Sequence, residues 1–502
     1  MESYRRIVER IAGDIRDGRL LPGQQLPPQR LFARRHRIAP STAGRVYGEL
    51  VRRGLVVGEV GRGTFVRAAP EAPAGRALVE GGGPRDVVNL ELNYPSVPGQ
   101  SELLAPALAP LLRPDVLTEA LRPAPATGTR AAREAVAALL AVPGAGAGGG
   151  AGGDACSSPD AGRRVRSGPD LGGGACPSPG AVPGVCSCPD AGRGARPAPG
   201  GWRPRPGQVV FTGNARQAIA AALGSLVPAG GRVGVDELTY PLVKEIAGRL
   251  GVRLVPVAGD EEGMRPDALA GAHRSGALSA LYLQPALHNP TSRATGERRL
   301  AELAAVIGDL GLPVVEDRIW SFLRPGAVPL AAHLPGLAHV VDGLSKRVAP
   351  GLTVGFLVVP PERVETVAAA VRSGGWSAGR FALEAAVRWL GDGTVERLVT
   401  AKREDARRRQ ELVREHLDGL RVRSDPGAYV AWWELPAPWR ADTFTAAAAA
   451  AGIAVTPGTA FAVDPHRTPD AVRLGLASAP PRTLARALRT LATVARAGPP
   501  GG

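Results

Sequence analysis

Lysine is scarce in this chain, and its three positions are the first residues with distinctive chemistry. Among the 61 basic residues only Lys244, Lys346 and Lys402 are lysines. Lys244 and Lys402 lie in amphipathic helical stretches, which predicts surface positions. Lys346 directly follows the apolar run AHVVDGLS, and ligands bind at the carboxyl ends of strands in α/β sheets. An amine in that place is suited to form a Schiff base with an aldehyde cofactor.

A carboxylate ends another apolar run nearby in the sequence. Asp317 closes the run LPVVED, so it is also predicted at the carboxyl end of a strand. There it could pair with a protonated pyridine nitrogen and keep a cofactor ring electron-withdrawing. A strand-end aspartate is also a common structural residue, so the pair Asp317 and Lys346 leaves both interpretations open.

Apolar runs that alternate with helical patterns must position these residues. The runs are QVVF, GRVGVDEL, VRLVPV, ALSALYLQP, LPVVEDR, AHVVDGLS and LTVGFLVV. Their alternation with amphipathic stretches predicts an α/β domain with a mainly parallel sheet. After residue 360 the chain turns helical and Arg-rich, with short strands around YVAWWEL and AVRLGLA. This predicts a smaller α+β subdomain at the carboxyl end.

The composition divides the chain into a head (residues 1–66), a Pro/Gly/Ala linker (67–86) and a body (87–495). A Gly/Pro-rich insert at 143–200 interrupts the body, and its segment CSSPDAGR returns as CSCPDAGR. Such sequence buries too little apolar surface to fold, which predicts a disordered surface loop; a regulatory role of the insert is the alternative. All four cysteines lie in the insert without the paired CxxC spacing of a zinc site, so no metal is predicted.

The positive charge is concentrated in the head. The net charge is +15, and residues 1–66 hold 13 arginines and no lysine against 6 acids, a net +7. This favours an anionic partner such as DNA, although an Arg-rich composition also follows from a GC-rich genome. No run of 18 apolar residues and no signal-peptide pattern occurs. The sequence therefore predicts a cytoplasmic protein without a membrane partner.

The head reads as three helices and a hairpin. Ile7, Ile11 and Ile15 repeat at helical spacing, QRLFARRH follows two prolines, and a third helix with Ser41 as N-cap carries Val46 and Leu50 on one face. LVVGEVGRGTFV then gives two β-prone runs around a Gly-rich turn. The pattern predicts a winged helix-turn-helix.

In that fold the third helix enters the major groove of double-stranded DNA by its amino-terminal end. Ser41, Thr42 and Arg45 are then predicted to face bases and phosphates, and Arg30 to meet a phosphate. Arg62, at the tip of the hairpin, is predicted to reach the DNA backbone or the minor groove. For each arginine a solvated surface charge is the alternative.

The head resembles the GntR family of bacterial regulators. The family pattern has three parts, matched here by LLPGQQLPPQRLFA, APSTAGRVYGELVRRG and GRGTFV. One departure is Gly44 in the recognition helix, which weakens helix propensity by roughly 1 kcal/mol relative to alanine. The resemblance implies DNA binding.

The body resembles fold-type I aminotransferases, which use pyridoxal 5'-phosphate. The resemblance implies a role for ten residues. The phosphate is held by Asn214, Ala215 and Arg216 in FTGNARQA, and the cofactor is carried by Lys346. The cofactor ring is contacted by Tyr240, which stacks on it, by Asn289 at the phenolic oxygen and by Asp317 at the ring nitrogen. The site is also lined by Trp320 and Ser345, and a substrate carboxylate is bound by Arg473.

A GntR head before an aminotransferase-like body resembles the MocR subfamily, homodimeric regulators that sense an amine, an amino acid or the cofactor. Thr353, Trp320 and Ala215 replace the family's phosphate arginine, tyrosine and serine. Arg216 or Arg347 could supply the missing phosphate contact. These departures favour binding over catalysis, so the domain is expected to lack transaminase activity. Two alternatives stay open: a regulator that has lost the cofactor, and an active aminotransferase with a DNA-binding head.

Overall fold

The computed structural model describes most of the chain. The described residues are 4–16, 19–20, 24–53, 55–59, 63–66, 87–143, 201–352 and 354–499. The predicted linker 67–86, insert residues 144–200, Arg62 and Thr353 lie outside these ranges. Within them, no helix combines the length and apolar character needed to cross a bilayer.

The head is a winged helix-turn-helix, as its sequence predicts. Three helices pack on an antiparallel sheet of order β1-β3-β2, and Ile7, Ile11 and Ile15 lie in the shared core. The elements are α1 (Tyr4–Arg16), β1 (Gln25–Leu26), α2 (Gln29–His36), α3 (Pro40–Arg52), β2 (Val56–Glu59) and β3 (Gly63–Val66).

Two details of the head differ from the prediction. Helix α3 begins at Pro40 with Ala39 as its N-cap, so Ser41 is not the cap. Proline is favoured at a first helical position because its missing N–H would have no partner there. Strand β1 is a third strand that its two-residue length concealed in the sequence.

A seven-stranded sheet forms the centre of the body, in the order β5-β13-β12-β11-β10-β6-β7. Strand β13 alone runs antiparallel to the other six strands, so the prediction of a mainly parallel sheet is confirmed. Each of the seven predicted apolar runs supplies one strand. These are β5 (Val209–Thr212), β6 (Arg232–Asp236), β7 (Arg253–Val257), β10 (Ala280–Leu283), β11 (Val314–Asp317), β12 (Ala338–Gly343) and β13 (Gly355–Val358).

Helices cover both faces of this sheet. Neighbouring residues such as Val314 and Val315 enter different apolar cores, because successive side chains of a strand point to opposite faces. The body helices before the carboxyl-terminal part are Gln100–Leu108, Pro114–Ala120, Arg130–Leu140, Ala215–Leu226, Pro241–Leu250, Pro266–Ser275, Glu297–Asp309, Leu344–Arg347, Val364–Ser373 and Arg380–Gly391.

The predicted small α+β subdomain is also present. Its sheet has the order β14-β15-β18-β17, and a parallel pair joins β4 to β16. The strands are β4 (Val88–Asn89), β14 (Val422–Arg423), β15 (Val430–Glu434), β16 (Ile453–Ala454), β17 (Thr456–Pro457) and β18 (Ala471–Gly475). The helices are Thr394–His416, Ala441–Ala450 and Pro481–Ala497. A short hairpin, β8 (Gly259–Asp260) and β9 (Gly263–Met264), lies beside the main sheet.

The two flanks of the insert are joined directly. Val142 N donates to Trp202 O at 2.7 Å, and Trp202 N donates to Val142 O at 2.9 Å. The described chain on either side of the insert is therefore held together at this pair of residues.

Candidate functional site

A cavity of about 150 Å³ lies where the carboxyl ends of the central strands meet the small subdomain. All ten residues that the aminotransferase resemblance singles out line it. They are Asn214, Ala215, Arg216, Tyr240, Asn289, Asp317, Trp320, Ser345, Lys346 and Arg473. Residues far apart in the sequence are thus brought into one site.

Lys346 lies in the short helix that directly follows β12. Its Nζ donates to the main-chain oxygen of Asn93 at 2.7 Å and lies over the ring of Tyr94, 4.2 Å from the centroid. The ring of Trp320 lies on another side at 5.2 Å. Burial, with the nearby charges of Arg473 and Arg216, lowers the pKa of Lys346 to about 7. A large fraction of this amine is therefore neutral, and nucleophilic, near neutral pH.

Asp317 ends β11 and is held by three donors. Its Oδ2 accepts from the hydroxyl of Tyr282 and from Nε2 of Gln284, both at 2.8 Å, and its Oδ1 accepts from Ile319 N at 3.0 Å. Burial raises the pKa of this carboxyl, and the donors oppose the rise. A cation bound beside it would offset the cost of the buried charge.

The loop before helix Ala215–Leu226 has the features of an anion cradle. Asn214 is the N-cap and accepts from Gln217 N at 3.1 Å, so the first amides of the helix stay directed outward at Ala215 and Arg216. In the described part of the chain, no side chain forms an ion pair with Arg216. Helix and guanidinium together suit a phosphate.

Gly355 of β13 permits this cradle to approach the sheet. A Cβ atom at residue 355 would lie 2.3 Å from the carbonyl carbon of Asn214 and 2.7 Å from Ala215 N. Only glycine leaves room for that backbone contact. Strand β13 thereby fixes the position of the predicted phosphate loop.

Arg347 does not supply the missing phosphate contact. Its guanidinium is buried against the carboxylate of Asp342, the carbonyl of Gly343 and the hydroxyl of Ser321, and it does not line the cavity. Of the two arginines that the sequence offered as replacements, Arg216 alone lines the site.

Asn289 and Tyr240 also line the cavity. Asn289 is buried, and among the described residues its Oδ1 has no hydrogen-bond partner. Its main-chain N–H donates to Gln284 Oε1 at 3.2 Å, which connects it to the amide that holds Asp317. Tyr240 is the residue before helix Pro241–Leu250, and burial raises the pKa of its phenol. A polar atom of a ligand in the cavity could satisfy the buried Oδ1 of Asn289.

Arg473 lies in β18, opposite Trp432 on one side and Thr456 on the other. Its Nη2 donates to Thr456 Oγ1 at 3.0 Å and also to the main-chain oxygen of Glu91. Burial lowers the pKa of Arg473 to about 10, so it remains cationic at neutral pH. It offers a positive charge at the end of the cavity formed by the small subdomain.

Trp320 takes the place where the family pattern has tyrosine. It packs beside Phe322 and Tyr429, with ring centroids 6.2 and 6.3 Å away. An indole has one donor and no acceptor, so it cannot replace a phenolic oxygen as an acceptor.

Several cavity residues were missed in the sequence. Glu91, Asn93 and Tyr94 come from the segment that precedes the main sheet by more than a hundred positions, and no local pattern marks them. Gln284 could have been found, because it is a polar residue directly after an apolar run.

The surface positions predicted for the other two lysines are wrong. Lys402 is fully buried, and its Nζ donates to the main-chain oxygens of Lys346 at 3.0 Å and Val348 at 2.7 Å. Lys244 is partly buried and donates to the carbonyls of Ala460 and Ala462. In both cases buried carbonyls satisfy the ammonium group, which a helical pattern cannot reveal.

The described DNA-facing candidates lie on the surface of the head. Arg30 is exposed near the start of α2, Ser41 and Arg45 are exposed on α3, and Thr42 is partly exposed there. The Arg45 guanidinium lies over the ring of Tyr4, 4.8 Å from its centroid. This contact fixes the direction of the Arg45 side chain.

Two family models match the chain. Residues 203–491 match aminotransferase class I and II, and residues 3–66 match the gntR family of bacterial regulatory proteins. A solved structure of LysN, an alpha-aminoadipate aminotransferase from Thermus thermophilus, superposes with a TM-score of 0.65 at 21% identity. It covers 85% of this chain and 95% of that chain, and it shows the shared fold.

The curated relatives include regulators. The uncharacterized HTH-type transcriptional regulator YdeF of Bacillus subtilis is 30% identical over 277 residues, which are 55% of this chain and 60% of the relative. The HTH-type pyridoxine biosynthesis transcriptional regulator PdxR of Corynebacterium glutamicum is 26% identical over 218 residues, 43% of this chain and 47% of the relative. The chain thus spans about half of the length of these relatives.

Proposed function

Because the chain belongs to the aminotransferase class I and II family and carries a gntR-family domain before it, we propose that it is a DNA-binding transcription regulator. In this proposal the body binds pyridoxal phosphate and senses an amine, an amino acid or the cofactor itself. The regulator acts as a homodimer on an operator in double-stranded DNA.

One observation carries the proposal. The partly buried Lys346, whose amine is readily deprotonated, shares a single cavity with a carboxyl at a strand end, Asp317, and an arginine at a helix start, Arg216. These three groups suit the aldehyde, the ring nitrogen and the phosphate of one molecule. The Oδ1 of Asn289 marks where a further polar atom of that molecule would be expected.

The residues divide the task among them. Lys346 would hold the cofactor through its aldehyde carbon, and Asp317 would pair with the ring nitrogen. Arg216 and the amides of Ala215 and Arg216 would hold the phosphate. When bound, the cofactor supplies an electron-withdrawing ring and a carbonyl carbon that amines can attack.

The effector would reach the same cavity. Its amine would compete with Lys346 for the cofactor, and a carboxylate, where present, would be held by Arg473. Binding shifts the protein between two conformations only as far as the effector favours one of them. Trp320, which lacks the acceptor of the family's tyrosine, favours sensing over turnover.

Reductive labelling tests the proposal. The full chain is incubated with excess pyridoxal phosphate and reduced with borohydride, and the modified peptide is identified by mass. Only three lysines exist, so the assignment is unambiguous. We expect label on Lys346, retained in Lys244→Ala and absent in Lys346→Ala. If saturating cofactor leaves no label on Lys346, the cofactor-free alternative is supported instead.

A further inference from the structure

Residues 88–94, here called the strap, carry main-chain oxygens that accept hydrogen bonds from two of the three basic side chains that line the cavity, Lys346 and Arg473. Asn93 O accepts from Lys346 Nζ at 2.7 Å, and Glu91 O accepts from Nη2 of Arg473. These are the groups that the proposed function assigns to the cofactor aldehyde and to a ligand carboxylate. The main-chain oxygens of the strap thus lie at positions that acceptor atoms of a bound ligand would otherwise take.

The strap is attached to the small subdomain. Leu90 N donates to Ala454 O at 2.8 Å, Gly475 N donates to Leu90 O at 2.6 Å, and Tyr94 N donates to Ser478 Oγ at 3.0 Å. The side chain of Asn93 accepts from Ala477 N at 3.0 Å. Lys346, in contrast, follows a strand of the main sheet, so its bond to Asn93 O connects the subdomain to the main sheet.

Both hydrogens on Nη2 of Arg473 are already donated. Each terminal nitrogen of a guanidinium has two hydrogens, and both hydrogens of Nη2 are used, by Glu91 O and Thr456 Oγ1. Both edges that grip a carboxylate with two parallel N–H groups include Nη2. Glu91 lines the cavity and Thr456 does not, so the acceptor on the cavity side is Glu91 O.

Lys346 is restricted in a similar way. Its neutral amine needs a free lone pair and a clear approach to attack a carbonyl carbon. Nζ donates to the Asn93 carbonyl and lies over the ring of Tyr94, so both groups are close to the nitrogen that must attack. Once Nζ is bonded to a carbon, it has fewer hydrogens to donate, and the bond to Asn93 O weakens.

We propose that the strap competes with the ligand: cofactor at Lys346 displaces Asn93 O, and a carboxylate at Arg473 displaces Glu91 O. This inference rests on the proposed function and adds its regulation. The strap follows the predicted linker 67–86 in the chain. Its displacement would move the point at which the chain enters the body, and this gives the ligand a physical route to DNA binding.

The test weakens the strap at a residue outside the cavity. Ser478→Ala removes the acceptor of Tyr94 N, and Thr493→Ala removes a hydroxyl from an exposed site on helix Pro481–Ala497 as the matched control. Pyridoxal phosphate is titrated into each full-length protein by absorbance. We expect a dissociation constant about three- to tenfold lower for Ser478→Ala than for the unaltered protein. The reason is that a smaller fraction of the variant has the strap bonded to Lys346 and Arg473. The control should be unchanged.

A second measurement follows the strap itself. Amide hydrogen exchange of the peptide containing Leu90 and Tyr94 is compared with and without cofactor, and we expect faster exchange with cofactor bound. If Ser478→Ala and the unaltered protein bind the cofactor equally well, and hydrogen exchange of the strap is unchanged by cofactor, the competition between strap and ligand is refuted while the proposed function stands. Failure of every protein to bind the cofactor would refute the proposed function, and the inference with it.

Discussion

The ammonium group of Lys402 lies directly behind the cavity lysine and donates to the main-chain oxygen of Lys346 at 3.0 Å. The same group donates to Val348 O at 2.7 Å, so a second buried lysine fixes the turn that carries the first. Its positive charge also contributes to the lowered pKa of Lys346. This relationship leads to the first two predictions.

We expect cofactor attachment to Lys346 to accelerate with pH around a midpoint near 7. Only the neutral amine attacks, and burial with Arg473 and Arg216 lowers its pKa from the ordinary 10.5 to about 7. Below the midpoint the rate should therefore fall about tenfold per pH unit. Stopped-flow absorbance after mixing with pyridoxal phosphate measures this, with free lysine as the reference. A midpoint above 9 would contradict the prediction.

Lys402→Met should raise that midpoint modestly, because it removes the charge of an amine whose own pKa burial lowers to about 7, so that it is only partly protonated near the midpoint. It should also destabilise the fold by about 1 to 3 kcal/mol, since the carbonyls of Lys346 and Val348 lose their donor. Arg408→Met is the control: its ion pair with Glu404 on the same helix is exposed, so little change is expected. Rates and thermal unfolding of both variants provide the comparison. An unchanged midpoint in a folded Lys402→Met protein would contradict the role of its charge.

Arg216→Ala should weaken pyridoxal phosphate by roughly ten- to a hundredfold, the size of one charge-assisted hydrogen bond in a partly buried site. Pyridoxal, which lacks the phosphate, is the matched ligand, and its affinity should change little. Thr353→Arg restores the arginine of the family pattern and is expected to tighten the phosphate form. Absorbance titrations distinguish these outcomes. Equal losses for both ligands would show that Arg216 does not contact the phosphate.

Arg45→Ala should cost about 1 to 3 kcal/mol of operator binding and relax discrimination at one base position, if Arg45 contacts a base. Arg62→Ala should weaken all sequences alike and reduce the salt dependence, as expected of a backbone contact. Titrations at several salt concentrations separate the two behaviours, with Arg408→Ala as a control outside the head. Unchanged affinity in both head variants would reject this orientation of the head on DNA.

Deleting residues 146–198 should leave the folded body intact. The hydrogen bonds between Val142 and Trp202 hold the flanks together, and the deletion retains both residues. We expect the melting temperature to change by no more than about 2 °C, a shift that corresponds to roughly 1 to 1.5 kcal/mol in a domain of this size. Calorimetry of both proteins checks this. A loss of cooperative unfolding would show that the deleted residues support the fold.

Sequence patterns predicted the central sheet well because its strands are buried on both faces. Continuous runs such as VVED and VVDG have few other ways to satisfy apolar side chains and backbone groups together. The aminotransferase resemblance then predicted which strand-end residues meet, since parallel strands bring their carboxyl ends to one edge. Lys346 and Asp317 are positioned by this simple rule.

Contacts that depend on distant segments could not be predicted. The strap reaches the site by pairing with β16 and β18, and nothing local in ELNYP records those partners. Lys402 can be buried because main-chain carbonyls of another element accept from its amine. The sequence of its own helix has the polar and apolar spacing of a surface helix. Arg347 lies outside the cavity because its guanidinium forms an ion pair with the buried carboxylate of Asp342.

The contact between Gly355 and the Asn214 peptide bears on how this sequence can diverge. At most positions a mutation exchanges one side chain for another, but here even a methyl group would have to move backbone. A lineage could therefore lose binding of the proposed cofactor by a change at residue 355 while every residue expected to touch the ligand stays intact. In related sequences, a residue other than glycine at this position would therefore indicate loss of phosphate binding even where all the ligand-contacting residues are retained.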